Sequence, residues 1–145
     1  MAWTIRAATA ADVDALTVAV AAAYAPALAR GVALPPVIEG LAEDIRDHLV
    51  LVAAQEGDVV GGAVLVIAGD HAKLANLAVD PRFGGQGLGR ALIDAGEAAA
   101  RELGLAEMRL VTHRLMPENV TLYERFGYGV TERDGDKIYM MKRLR

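Results

Sequence analysis

A glycine-dense stretch and an asparagine–tyrosine pair are the parts of this sequence whose residue types and spacing suit chemistry. The stretch RFGGQGLGR, at 82–90, separates a predicted strand from a predicted helix. Backbone N–H groups in such a turn approach an anion closely, and a helix N-terminus adds partial positive charge, so phosphate is the natural ligand. Asn119 and Tyr123 lie four residues apart on another predicted helix. Their side chains therefore share one helix face and can meet one ligand.

The glycine loop does not match the two commonest phosphate-binding signatures. A P-loop requires Gly-Lys followed by Ser or Thr, whereas this chain reads GLGRAL, without the lysine and the metal-holding hydroxyl. A dinucleotide fold places its glycines after the first strand and an acidic residue about 20 positions later, where this chain offers Thr112 and His113 at the end of a strand. Taken alone, the glycines also fit a tight structural turn. The context of the loop has to decide between these alternatives.

Composition bounds the classes of function. The 145 residues are 54% hydrophobic and 23% charged, which predicts one globular domain over 1–145. A formal net charge of −4 gives no electrostatic footprint for nucleic acid. The chain has no cysteine, which excludes a thiolate nucleophile and Cys-containing zinc sites, and the histidines His48, His71 and His113 lack the spacing of a metal motif. We therefore expect no metal and a reducing, cytoplasmic location.

No membrane segment is expected from the pattern of apolar residues. The N-terminal stretch lacks a basic segment followed by an apolar one, as a secretory signal would have. The most membrane-like run, Ala15–Ala29, is too short to span a bilayer and is broken by Pro26.

Hydrophobic periodicity and turn residues predict alternating strands and helices. Thr9 and Asp12 are typical of a helix N-terminus, and the helix that follows is expected to end near Tyr24 to Pro26. Gly104 and Gly127 are expected to end two later helices, the second of which begins at Pro117. Strands are predicted at 3–9, 49–55, 59–68, 72–79 and 107–113, helices also at 37–49 and 88–103, and a terminal hairpin around Asp134 to Asp136. A strand, glycine loop, helix and strand in this order predict a parallel crossover.

The order LANLAVDP, then GGQGLGRALI, then ENVTLYERFGY about thirty residues later resembles the GNAT family of N-acetyltransferases. The resemblance covers most of the chain. It implies an α/β fold of α+β type, with a mixed, mostly antiparallel, splayed sheet of about six or seven strands and about four helices. It also implies acetyl-CoA as acyl donor, an amine-bearing acceptor that is a small molecule or a peptide, direct transfer without a covalent enzyme intermediate, and a homodimer as one possible assembly.

The resemblance assigns roles to residues of this chain. Tyr123 corresponds to the general acid that protonates the CoA sulfur, and Asn119 to a cofactor contact. Free backbone groups of the strand before the loop, at Leu77 and Val79, correspond to contacts with the pantetheine and the thioester carbonyl. The pyrophosphate cradle corresponds to the loop and the start of its helix, which comprise Gly84, Gly85, Gln86, Gly87, Leu88, Gly89 and Arg90.

Two positions depart from the family pattern. The family loop usually begins with Arg or Gln, where this chain has Gly84, so a side-chain contact to phosphate is missing; Arg82 and Arg90 flank the loop, and Arg90 is the better candidate to supply charge. The strand before the loop often carries a catalytic Glu, where this chain has Asn76. Candidate bases are Asp70, His71, His113 and Glu118, each of which also suits a cap, turn or surface role, and a water relay is the default expectation.

The acceptor side is expected to involve Tyr24 and Glu39, because the loop at 24–36 lies where family members shape the acceptor pocket. Asn76 and His113 are further candidates for contact with the acceptor. Two alternatives to an enzyme stay open at this point. One is a CoA-binding regulatory or interaction module without efficient catalysis, suggested by Gly84 and the missing carboxylate, and the other is a generic nucleotide-phosphate binder.

Overall fold

Strands and helices alternate along the chain, as the periodicity predicts. The computed structural model describes residues 3–32 and 38–145. The seven strands are β1 Trp3–Ala7, β2 Leu49–Gln55, β3 Asp58–Ala68, β4 His71–Val79, β5 Glu107–His113, β6 Gly129–Asp134 and β7 Lys137–Arg143. The four α-helices are α1 Val13–Ala29, α2 Leu41–Asp47, α3 Leu88–Glu102 and α4 Pro117–Arg125, and short 3-10 helices occupy Ala10–Asp12 and Pro81–Phe83.

The strands form one mixed sheet in the order β1-β2-β3-β4-β5-β7-β6. Every neighbouring pair is antiparallel except β4 and β5, which run parallel and are joined through α3, so the predicted crossover is confirmed. Helices α1 and α2 pack on one face of the sheet, and α3 packs on the other face, with α4 beside β5. We refer to these as the α1 face and the α3 face.

Strands β4 and β5 pair only over their first four residues. The parallel register runs from His71 opposite Glu107 to Leu74 opposite Leu110 and then stops. Beyond it, residues 76–79 of β4 pair with β3, while residues 111–113 of β5 pair with β7. The two strands therefore diverge, and β4 presents an edge of backbone groups in the middle of the sheet.

A β-bulge in β4 coincides with the point of divergence. Val64 of β3 lies opposite Asn76 and Leu65 opposite Leu74, so Ala75 is an extra residue in β4. Ala72 and Leu74 pack into the core on the α3 face, whereas Ala78 packs against α1. Side chains six residues apart in a regular strand share a face, so the bulge has exchanged the faces of β4. Asn76 and Ala78 consequently lie on the α1 face.

Helix α1 is longer than the sequence predicts. It continues through Pro26 to Ala29, and the prediction of an end near Tyr24 to Pro26 is wrong. A proline in the last turn removes only one intrahelical hydrogen bond close to the helix end, which packing of the neighbouring Ala27 accommodates. Residues 33–36 of the predicted loop lie outside the described residues.

The same extension lengthens the apolar helical stretch. Ala10–Ala29, 20 residues, is long and apolar enough to cross a membrane by length and composition alone, contrary to the expectation that Pro26 breaks it. The core helix of a globular protein passes the same test. Leu16 and Val20 of α1 are buried against the sheet, so the helix serves as the cover of the α1 face in this fold.

Other element boundaries follow turn residues. Gly104 and Gly127 adopt positive φ directly after α3 and α4, and Gly135 turns the terminal β6–β7 hairpin, so these predictions are confirmed. The predicted helix at 37–49 is shorter, because Gly40 at φ 78° precedes its first turn and His48 is already extended. Glu39 consequently lies outside the helix.

The start of α1 is fixed by a buried carboxylate. Asp12 accepts the Thr9 backbone N–H at 2.8 Å and two guanidinium hydrogen bonds from Arg6, at 2.8 and 3.0 Å. This confirms the helix start predicted from Thr9 and Asp12 and fastens it to β1. The Arg6 hydrogen bonds lower the pKa of Asp12 from 3.8 to about 2.

Replacement of Asp12 tests this connection. At neutral pH we expect Asp12→Ala to lower the free energy of unfolding by about 1 to 2 kcal/mol, since a helix-start hydrogen bond and an ion pair are lost. Because the folded pKa is depressed, the stabilisation is full above the unfolded pKa near 3.8 and disappears as pH falls toward 2. Urea unfolding of wild type and variant should therefore converge at low pH. Asp14→Asn, an exposed acid on the next turn, is the control, and an equal, pH-independent loss in both variants would contradict the assignment.

Candidate functional site

A cavity of about 630 Å³ opens where β4 and β5 diverge. Its walls come from α1, from both diverging strands, from β7 and from α4. Both faces of the sheet contribute, because the gap between the strands passes through it. The polar and aromatic lining residues are Tyr24, Lys73, Asn76, Thr112, His113, Asn119, Tyr123, Asp136, Lys137 and Tyr139, and Leu77, Val111 and Met116 are among the apolar ones.

Tyr24 reaches the cavity from α1. Its hydroxyl lies 3.0 Å from Asn76 Oδ1 and 3.3 Å from the Leu77 carbonyl oxygen, so it donates to the bulged segment of β4. Burial raises the pKa of Tyr24, which keeps this donor protonated. Two of the predicted acceptor-side residues, Tyr24 and Asn76, are therefore in direct contact.

Tyr123 and Asn119 reach the same cavity from α4. The Asn119 amide nitrogen lies 3.5 Å from Thr112 Oγ1, which connects the helix to the end of β5. Burial is the main cause that raises the pKa of Tyr123, and the nearby Tyr24 raises it further. Phenols from α1 and α4 thus approach the gap from opposite faces of the sheet.

A polar cluster of Glu97, Tyr128 and Lys142 lies beside the Tyr123 ring. The Tyr123 ring meets the Tyr128 ring edge to face, with centroids 5.9 Å apart. The Tyr128 hydroxyl donates to Glu97 of α3 at 2.8 Å, and Lys142 of β7 donates to the same carboxylate at 2.8 Å. This cluster holds α3, β7 and the end of α4 together. The orientation of Tyr123 therefore depends on packing far from its own helix.

The glycine loop follows the free part of β4 and ends at the N-terminus of α3. Gly85 and Gly87 adopt φ of 79° and 82°, in the left-handed region, and Gly87 is the N-cap residue of α3. No side chain among the described residues caps this end, and a Cβ built on Gly85, Gly87 or Gly89 meets no atom within 4 Å. The backbone is therefore open to an approaching anion, as a pyrophosphate cradle requires. Leu88 is buried, so only its backbone can take part.

The two arginines beside the loop have different surroundings. Arg82 binds the buried carboxylate of Asp80 through Nε and Nη2, at 3.2 and 2.9 Å, and lowers its pKa. Arg90 is exposed, 5.3 Å from the centroid of the Phe126 ring and 3.7 Å from a carboxylate oxygen of Asp94. Arg82 is thus held by a closer carboxylate partner than Arg90 is.

Leu77 and Val79 occupy the unpaired edge between the cavity and the loop. Their side chains pack toward the core on the α3 face, and their backbone lies beyond the last β4–β5 pair. An extended ligand arm anchored at the α3 N-terminus can follow this edge into the gap. The placement of both residues suits the contacts that the resemblance implies.

The remaining predicted residues are spread over the molecule. His113 lines the cavity, but its Nδ1 accepts the Leu115 backbone N–H at 3.0 Å and its Nε2 lies 3.7 Å from Asp136. Glu118 forms an ion pair with Arg30 that lowers its pKa, so it is a poor base. Glu39, Asp70 and His71 are not among the residues that line this cavity.

Sequence reasoning missed the contribution of β7. Lys137 and Tyr139 line the cavity because β7 inserts between β5 and β6, with Tyr139 opposite Val111 and Lys137 opposite His113. The alternation of the predicted terminal strand shows that these two residues share a face. The sequence offers no local signal that this face lies beside β5.

The arrangement can bring two reactants together from opposite faces of the sheet. An anionic ligand held at α3 can extend along β4, and a second molecule can enter from the α1 face. Tyr123 lines the cavity where the two would meet. Such a geometry suits group transfer between two bound substrates.

Comparison with known proteins points in the same direction. Residues 46–130 match the model of a family described as an acetyltransferase (GNAT) domain. The chain is 45% identical over 58 residues to the mycothiol acetyltransferase of Propionibacterium freudenreichii subsp. shermanii, over 40% of this chain and 19% of that protein. It is 28% identical over 97 residues to the spermidine N(1)-acetyltransferase of Thermoplasma acidophilum, over 67% of this chain and 60% of that protein. The chain therefore spans less than two thirds of these relatives.

A solved structure shares the whole fold. The crystal structure of PaiA N-acetyltransferase from Thermoplasma acidophilum in complex with coenzyme A superimposes with a TM-score of 0.88. The match covers 99% of each chain at 24% sequence identity. At this identity the likeness establishes the fold only. The α/β fold with a splayed mixed sheet, expected from the resemblance, is confirmed.

The glycine loop generates a prediction about stability. Gly87→Ala forces a left-handed φ on a residue with a Cβ, and we expect it to lower the free energy of unfolding by about 1 kcal/mol or more. Gly84→Ala is the matched control, since Gly84 has φ −67° and its Cβ would sit at an ordinary 3.4 Å from the Pro81 carbonyl oxygen. Urea denaturation measures both. Equal effects would show that the left-handed conformation of Gly87 is not required in solution.

Proposed function

We propose that this chain, which belongs to the GNAT acetyltransferase family, moves an acetyl group from acetyl-CoA directly to a primary amine. The observation that carries the proposal is the gap between β4 and β5: the cavity containing Tyr123 opens there, and β4 runs on from it toward the glycine loop that precedes α3. The open, left-handed glycines of the loop fit a pyrophosphate, and the free edge of β4 fits the arm that connects it to the reacting group.

The proposed donor-side residues are the backbone groups from Gly84 to Arg90, the edge at Leu77 and Val79, and Asn119. The acceptor enters from the α1 face, where Tyr24 and Asn76 form the wall. Acetyl-CoA supplies a thioester, so the C–S bond breaks as the C–N bond to the amine forms. The backbone N–H groups of Leu77 and Val79, which lie beyond the last β4–β5 pair, are proposed to donate to the carbonyl oxygen.

Tyr123 is proposed to protonate the departing sulfur. Its raised pKa keeps the phenol in its neutral, protonated form, so the hydroxyl still carries the proton to be donated. The ammonium proton of the acceptor has to leave before attack. Because His113 uses Nδ1 as an acceptor and Glu118 is bound to Arg30, we propose that water carries this proton to solvent.

The wider setting of the proposal is a cytoplasmic enzyme that acts on a small molecule or a peptide, with a homodimer as one possible assembly and with no nucleic acid or metal. The absence of cysteine supports a reducing, cytoplasmic location, and the net charge of −4 disfavours nucleic acid as a partner.

Two measurements test the function. Isothermal titration should show binding of acetyl-CoA and CoA but not of ATP, and an amine screen should show acetyl-CoA-dependent release of free thiol. Binding without turnover for any amine would favour a CoA-binding module instead. Absence of binding by both CoA species would overturn the proposal.

Tyr123→Phe tests the proposed acid. We expect kcat to fall by about a hundredfold while the Kd of acetyl-CoA is unchanged, since only the proton donor is removed. Below pH 10, the wild-type kcat/KM should rise as the amine loses its proton, without a descending limb from Tyr123, because burial raises the pKa of Tyr123 above 10.0. Thr121→Ala, on the exposed side of α4, is the control for helix integrity. An unchanged kcat in Tyr123→Phe would eliminate the acid role.

Gly84→Gln tests the position of the phosphate. Gly84 has an extended backbone with room for a side chain, and the family usually has Arg or Gln at this position. One added hydrogen bond to a charged group should lower the Kd of CoA by about tenfold. Gly84→Ala should leave the Kd unchanged. If glutamine and alanine act alike, the pyrophosphate does not lie beside Gly84.

A further inference from the structure

We propose that the acceptor is a small amine that also carries a carboxylate, and that Lys73 and Lys137 select for that carboxylate. This inference rests on the proposed function and adds the chemical class of the acceptor. It comes from the charges that line the α1 side of the cavity.

The two lysines lie on the side of the sheet from which the acceptor enters. Met108 and Leu110 of β5 and Ile138 and Met140 of β7 are buried in the core on the α3 face. Since side chains alternate along a strand, Val111, Lys137 and Tyr139 face the opposite side. Lys73 does so as well, because its neighbours Ala72 and Leu74 belong to the core on the α3 face.

The lysines bracket an apolar and aromatic wall. Lys73 stands one residue before the last β4–β5 pair, where the gap begins, and Lys137 stands opposite His113 at the far end of β5. Between them, Val111 lies opposite Tyr139. The cavity volume of about 630 Å³ falls in the range of small-molecule sites. A small amine with an apolar body and one anionic group fits this lining.

The acidic group that lines the cavity already has a cationic partner. Asp136 is the one acidic residue among the described lining residues, and it is bound to Arg114, which lowers its pKa. In contrast, neither Lys73 nor Lys137 has an acidic partner within 4.0 Å in the described part of the chain.

The local charge therefore opposes the charge of the whole chain. The chain carries a net charge of −4, but the acceptor side of this cavity carries two ammonium groups without counterions. A second cationic group of a polyamine would meet repulsion and no unpaired carboxylate among the described lining residues. A carboxylate at either end of this wall would be attracted by the lysine there, and because both lysines are exposed, salt screens the attraction. The charges thus favour amino acids and related amino carboxylates over polyamines.

Binding of reaction products tests this preference without requiring turnover. N-acetyl amino acids with small, apolar and polar side chains are compared with their carboxamides by isothermal titration against the protein saturated with CoA. Both members of a pair lack the amine, so a difference in amine pKa cannot contribute. We expect at least one carboxylate to bind about tenfold more tightly than its amide, with an advantage that shrinks as salt rises.

Charge-removing variants identify the residues responsible. Lys73→Gln and Lys137→Gln should each reduce the advantage of the carboxylate severalfold and leave the Kd of the amide and of CoA unchanged. Arg133→Gln, which removes one positive charge from an exposed position of β6 outside the cavity lining, should leave the advantage intact.

The outcomes separate the two levels of proposal. The carboxylate inference would be overturned if acids and amides bound equally, if no pair bound, or if neither lysine variant changed the preference. Faster turnover of spermidine than of amino carboxylates would overturn it as well. Acetyl-CoA binding and turnover of some other amine would in those cases leave the proposed function standing. Loss of acetyl-CoA binding itself would overturn the proposed function instead.

Discussion

The incomplete pairing of β4 with β5 is the constraint on which the other features of the site depend. Parallel hydrogen bonds join the two strands from His71 to Leu74, and the extra residue Ala75 then bends β4 away. A central strand with an unpaired edge is costly unless something satisfies its backbone groups. Here Tyr24 donates to the Leu77 carbonyl from the α1 face. The incomplete strand pairing thus creates the surface along which a ligand is proposed to bind.

The bulge also decides which side chains meet which substrate. By exchanging the faces of β4, it turns Asn76 toward α1, while Leu77 and Val79 stay with the core on the α3 face. The proposed donor and acceptor would therefore approach from opposite sides and meet in the gap, beside Tyr123. The Glu97 cluster supports the position of Tyr123, because its charge-assisted hydrogen bonds join α3, β7 and Tyr128, whose ring meets Tyr123 edge to face.

Charge is distributed by the same architecture. Asp136, which lines the cavity, is paired with Arg114, and Glu118 of α4 is paired with Arg30 at the end of α1. Lys73 of β4 and Lys137 of β7 have no acidic partner within 4.0 Å among the described residues. Net charge gives no indication of this arrangement, because it sums over surfaces that face different directions. The local field of the acceptor side follows from strand order, which brings β7 next to β5.

The sequence alone determined the local elements of this protein, since glycine, proline and hydrophobic periodicity act over a few residues. The turns at Gly104 and Gly127, the crossover through α3 and the glycine loop were all readable, and the spacing of Asn119 and Tyr123 placed them on one face. Tertiary structure decided the rest. Helix α1 passes through Pro26 because packing outweighs a local penalty, and Tyr139 and Lys137 reach the cavity because strand order depends on contacts between distant segments. The hydrogen bond that His113 Nδ1 accepts from the Leu115 N–H likewise depends on the local fold, which no spacing rule specifies.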